Sequence, residues 1–87
     1  MLEIIFTASF MREAKRLAKS DKELGEEIAE KIKLFKDRKN HSKLKVHKLQ
    51  GNLRGFWSFS VNYKYRIVFE PKGKNTFTFH DVGMLPV

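Results

Sequence analysis

The sequence predicts a small two-layer α+β domain, on three observations. Two stretches with apolar residues at helical spacing, within residues 10–17 and 24–35, follow one another across a capping signal. Three aromatic and β-branched stretches with two-residue alternation fill the last third, separated by Asn, Pro and Gly. One more alternating stretch opens the chain. The order is β-α-α-β-β-β. The last three strands form a meander, and the first joins the same sheet because a lone strand cannot satisfy its backbone. A helical hairpin packed on one face of a mainly antiparallel four-stranded sheet follows. The 87 residues make one domain, 1–87, without linker, repeat or low-complexity tract.

Leu2, Ile4 and Phe6 alternate with Glu3 and Ile5, a short strand. Thr7 or Ser9 caps the helix that carries Phe10, Ala14 and Leu17 on one side. Ser20-Asp21-Lys22-Glu23 matches a capping box, so a second helix starts there. Its stripe is Leu24, Ile28, Ile32 and Phe35. Acidic residues fill its first half and basic ones its end, as the helix dipole favours. Gly51 and Gly55 bracket a turn. Strands follow over Phe56–Val61, Tyr65–Phe69 and Thr76–His80, with turns at Asn62-Tyr63 and at 71–75.

If Glu70 faces Thr76, the pairing runs on through Val68–Thr78 to Arg66–His80. That places an arginine beside a histidine on the face away from the helices. Tyr65, Ile67, Phe69, Phe77 and Phe79 make the core face. The preceding strand has two registers. A two-residue turn puts Trp57, Phe59 and Val61 beside Arg66, a shelf suited to stacking bases. A turn one residue longer buries that trio and puts Ser58 and Ser60 beside Arg66.

Charge narrows the function. The chain has 18 Lys+Arg against 10 Asp+Glu, a net +8. The excess lies beyond residue 30, where thirteen basic side chains meet three acidic ones, and is densest from Lys36 to Arg54. A polyanionic partner such as RNA is expected from this field, although an acidic protein satisfies it equally. A 41% hydrophobic composition supports a packed core and excludes general disorder. The absence of cysteine excludes a disulfide scaffold, a thiolate metal site and a cysteine nucleophile. No apolar run approaches the roughly 20 residues that cross a bilayer. The first six residues lack a basic leader. A cytoplasmic protein with no membrane partner is therefore expected.

Three segments are similar to one family: LKVHKLQGNLRGFWS (44–58), NYKYRIVF (62–69) and FHDVG (79–83). Together with the length and element order, they resemble the RelE/ParE superfamily of bacterial and archaeal type II toxins, and its RelE-like branch most. The resemblance implies a RelE-like fold and a ribosome-dependent mRNA endoribonuclease (an mRNA interferase). Such an enzyme inhibits translation and is neutralised by a cognate antitoxin in a hetero-oligomer. Arg66 falls where that branch has its phosphate-binding arginine. Trp57 and Phe59 fall where its best-known member has catalytic lysines. Leu85 stands where the family usually has Arg or His, with a tyrosine after it, so the usual carboxy-terminal catalytic group is missing. Two alternatives remain: a ParE-like inhibitor of DNA gyrase, which needs no nuclease residues, and a catalytically degenerate toxin that only binds.

Cleaving RNA through its own 2′-hydroxyl needs a base, a cation at the crowded phosphorane and an acid for the leaving 5′-oxygen. It needs no metal or cofactor, and no acidic cluster suggests one. Arg66 suits the cation role. His80 and Lys48 are the candidate proton-transfer groups. Lys43, Lys45, His47, Arg54, Trp57 and Lys64 are candidates for RNA binding, and His47 or Lys45 can also assist proton transfer.

Overall fold

The computed structural model describes residues 2–53 and 55–84. Strand β1 (Glu3–Phe6) leads into helix α1 (Ala8–Ser20) and helix α2 (Lys22–Phe35). A 3-10 turn (Arg38–Asn40), strand β2 (His47–Lys48) and a second 3-10 turn (Gly51–Leu53) follow. The meander β3 (Trp57–Ser60), β4 (Arg66–Pro71) and β5 (Thr76–Gly83) completes the described chain. The sheet order is β1-β5-β4-β3-β2, parallel only between β1 and β5. This is the expected α+β architecture with one correction. Among the described residues the sheet has five strands rather than four, because His47 and Lys48 pair with Ser58 and Trp57. So short a strand leaves no alternation to read in the sequence.

Thr7 caps α1. Its hydroxyl accepts from the Phe10 amide at 3.0 Å and also reaches the Phe79 carbonyl at 3.2 Å, which fastens the helix start to β5. The second cap is Asp21, not Ser20: Asp21 Oδ1 accepts from the Leu24 amide at 3.1 Å. Ser20 instead ends α1, with its hydroxyl on the Leu17 carbonyl. A carboxylate at a helix start gains from the dipole as well as from the hydrogen bond, which favours the aspartate. Asp21 N–H also donates to Leu17 O, so this one residue closes α1 and opens α2. The tight hairpin brings Gly25 against Ala18: a Cβ added at Gly25 would lie 2.6 Å from Ala18 Cβ.

The helices bury Phe10, Leu17, Leu24, Ile28 and Phe35 against one sheet face. Phe35 sits at the centre, stacked on Phe59 at 4.9 Å and edge-on to Phe69, Phe77 and Phe79. Between β3 and β4 the longer turn holds: Ser60 faces Arg66 and Phe59 faces Ile67. Phe59 and Val61 are buried in the helix-side core, with Trp57 packed against it. Asn62 braces this turn through its side-chain oxygen, which accepts from the Lys64 and Tyr65 amides.

The β4–β5 register differs from the expected one. Glu70 faces Thr78 and Phe69 faces Phe79, but Val68 faces Asp81. His80 is thus the extra residue of a β-bulge. Past it, Val82 returns to the core opposite Ile67, and Arg66 lies opposite Gly83. The expected Arg66–His80 neighbour pair does not form.

The helical hairpin generates the first test. Gly25→Ala should gain about 1 kcal/mol of helix propensity yet lose about 1–3 kcal/mol to overpacking on Ala18. Urea unfolding should therefore show a net loss of about 1 kcal/mol, recovered in part when Ala18→Gly is added. A Gly25→Ala variant more stable than the parent would contradict this packing.

Candidate active site

Arg66 opens β4 on the sheet face away from the helices, as the sequence led one to expect. Four polar atoms lie within hydrogen-bond distance of its guanidinium. Nε donates to Ser58 Oγ at 3.0 Å and Nη1 to Ser60 Oγ at 2.8 Å. Nη2 lies 3.4 Å from the Lys45 carbonyl and 3.2 Å from His47 Nδ1. Ser58 is fully buried. Its hydroxyl, one strand over at alternate spacing with Ser60, forms a fixed seat for a planar cation. Among the described residues no carboxylate pairs with Arg66. Burial lowers its pKa from the ordinary arginine value, and a guanidinium keeps its charge nonetheless.

The Lys45 carbonyl reaches the site through an unusual turn. The Val46 amide donates to His41 O and the Lys45 amide to Ser42 O. With Lys45 at φ 59, this is the Schellman arrangement that ends a helical turn. Glycine or asparagine normally takes that left-handed position. The Ser60 amide donates to Leu44 O and ties the turn to β3. His47 follows on β2 opposite Ser58, so its ring lies on the Arg66 face.

His47 Nδ1 is 2.9 Å from the Lys45 carbonyl as well as 3.2 Å from Arg66 Nη2. One nitrogen cannot do both. Carrying a proton, it donates to Lys45 O and leaves Nε2 as the free base. Without one, it accepts from Arg66, and Nε2 then carries the proton.

The other expected site residues are dispersed. Lys48, next to His47, points the opposite way. It pairs with Trp57, and its Nζ lies 5.5 Å over the Trp57 ring on the helix side of the sheet. Neither is brought to Arg66. This follows from strand alternation: if His47 faces the arginine, Lys48 cannot. His80 sits on the bulge with Nε2–H donating to Glu70 Oε1 at 2.9 Å, its ring edge-on to Phe56 at 5.2 Å. Hydrogen bonding from His80 is the main reason that Glu70 titrates below the usual carboxylate range, with nearby Lys72 adding to it. Lys43 and Lys64 are exposed and make no ion pair among the described residues. Arg54 and Leu85 lie outside the described residues. Sequence reasoning assigned no role to the two serine hydroxyls, to the Lys45 carbonyl or to Glu70. The Ser-x-Ser spacing opposite an arginine was the available signal for the first.

No protein-family model and no curated protein matches the chain. Solved structures do. The heterotetrameric YoeB-YefM toxin-antitoxin complex from Staphylococcus aureus matches with TM-score 0.71 and 24% identity, over 98% of each chain. A YoeB/ParE toxin from Agrobacterium tumefaciens matches with TM-score 0.71 and 18% identity, over 97% of this chain and 99% of that one. YafQ from E. coli strain BL21(DE3) matches with TM-score 0.72 and 17% identity, over 97% and 93%. These matches show a shared fold: the chain folds as the YoeB, YoeB/ParE and YafQ structures do.

Two measurements check the site as built. Lys45→Gly should raise stability to urea by about 1 kcal/mol, because it relieves the left-handed backbone without touching the carbonyl. In a carboxyl NMR titration Glu70 should give a midpoint below that of free glutamate. His80→Phe should move the midpoint back up. The stability that Glu70 contributes is present above its unfolded pKa and fades as pH falls through the lower folded value.

Proposed function

We propose that the chain is the toxin of a type II toxin–antitoxin pair: an endoribonuclease that cleaves mRNA on the ribosome, inhibits translation and is neutralised by an antitoxin. The observation that carries this reading is the Arg66 guanidinium. It is seated on neutral acceptors, free of any carboxylate among the described residues and 3.2 Å from an imidazole nitrogen. The fold shared with YoeB and YafQ supports it. The S. aureus complex of toxin with antitoxin supports the partner and the hetero-oligomer.

The chemistry needs few groups. Guanidinium has five N–H donors. Three are taken by Ser58, Ser60 and the Lys45/His47 pair, which leaves one on each terminal nitrogen for two phosphate oxygens. In the tautomer with Nδ1–H on Lys45 O, His47 Nε2 takes the proton of the RNA 2′-hydroxyl. The 2′-oxygen bonds to phosphorus, and Arg66 stabilises the charge that develops on the phosphoryl oxygens. The bond to the 5′-oxygen breaks, that oxygen takes a proton from solvent or from His47, and a 2′,3′-cyclic phosphate remains. Lys43, Lys45 and Lys64 hold the RNA backbone by charge. Lys48 and Trp57, on the helix side of the sheet, and His80, engaged by Glu70, take no part in the chemical step.

In a translation extract, Arg66→Ala should lower mRNA cleavage by about 10²–10³-fold, the usual loss for one charge-stabilising donor. Arg66→Lys should not restore it, since a point charge cannot bridge two oxygens. His47→Ala should cost about 10²–10⁴-fold and flatten the acid limb of the pH–rate profile. Cleavage undiminished in Arg66→Ala defeats the assignment. Inhibition of gyrase supercoiling without mRNA cleavage replaces it with a gyrase target.

A further inference from the structure

On the helix side of the sheet, past the carboxyl end of α2, lies a hollow of about 240 Å³. Trp57, Phe69, Phe77 and Pro71 supply its carbon walls, and the exposed Arg38 and Lys74 its cations. Trp57, Phe69 and Phe77 face away from the Arg66 seat, so the proposed nuclease chemistry does not use this hollow.

The cations around it lack acidic partners among the described residues. Arg38 lies 5.9 Å over the Phe77 ring, and its Nη2 donates to Lys74 O at 2.9 Å and to Asn75 Oδ1 at 3.2 Å. Lys48 stands over Trp57. Among the described residues no acidic side chain lines the hollow. Among the described residues Arg38, Lys48 and Lys74 make no ion pair, while the nearby acids are occupied: Asp37 by Lys39, and Glu70 by Lys72 and His80.

We propose that this hollow docks a protein partner through one apolar side chain, of leucine or phenylalanine size, carried in an acidic segment. The volume is below the roughly 300–1,000 Å³ of ordinary small-ligand sites and suits a single side chain. The cationic rim complements flanking carboxylates. RNA fits poorly, because base stacking needs a free ring face. Phe69 and Phe77 are 1% and 6% exposed, and Lys48 covers Trp57.

The chain has one tryptophan, so the Trp57 indole N–H signal of the 15N-labelled full chain reports on this hollow alone. The probes are a glutamate-rich peptide with one central leucine, the same peptide with alanine there, and a uridine-rich RNA oligonucleotide. The leucine peptide should shift the Trp57 signal saturably at up to about millimolar concentration, and its alanine counterpart should bind at least about tenfold more weakly. Lys74→Glu should weaken the leucine peptide by about threefold or more, and Arg38→Glu with Lys74→Glu by about tenfold. Lys74 lies outside the nuclease site, so mRNA cleavage by Lys74→Glu should equal that of the parent, and the two readings fail separately. A Trp57 signal unmoved by the leucine peptide, equal titration by both peptides, or a shift with RNA alone overturns the proposal.

Discussion

A guanidinium that is partly withdrawn from water, with no anion to neutralise it, must have its donors satisfied by neutral acceptors. At Arg66 this requirement ties separate parts of the chain together. Ser58 and Ser60 must point to the open face, which fixes the β3 register and sends Phe59 and Val61 into the core. The Lys45 carbonyl must turn toward Nη2, which the left-handed residue at that position accomplishes. His47 must then lie on the same face, and β2 pairs accordingly. The charge is kept and oriented rather than cancelled. A site for a phosphate needs that, and a structural salt bridge would destroy it.

The two faces of the sheet divide the work. The helix side stores the hydrophobic free energy, centred on Phe35 and the rings around it. The far side carries polar and titratable groups on strands that this core holds rigid. Alternation along each strand enforces the division. It is why neighbours such as His47 and Lys48 have different environments, one beside Arg66 and the other over Trp57. The hollow at Trp57 lies where the core runs out beyond α2, which leaves part of the Trp57 ring and the cations in contact with solvent.

Much of this was legible in residue spacing. The helical stripes, the three-strand meander and the open-face position of Arg66 follow from periodicities of 3.6 and 2. Four things did not. The two residues of β2 are too few to show a period. The cap of α2 moved by one residue because serine and aspartate stand side by side and both can cap. The bulge at His80 shifted the end of β5, and His80 went to Glu70 instead of Arg66. A trace of the bulge is present in the sequence: the apolar positions run Phe77, Phe79 and then Val82, a step of three where a plain strand steps by two. The backbone acceptor at Lys45 had no sequence signal, since lysine rarely takes a left-handed conformation.

The most direct test of the central claim is the Arg66 Nε–H NMR signal of the intact chain, followed as a 2′-O-methyl RNA fragment, which cannot be cleaved, is added. An open, seated guanidinium should show a saturable shift that fades as salt is raised. RNA that perturbs lysines or the Trp57 face while leaving the Arg66 signal unmoved would contradict the account.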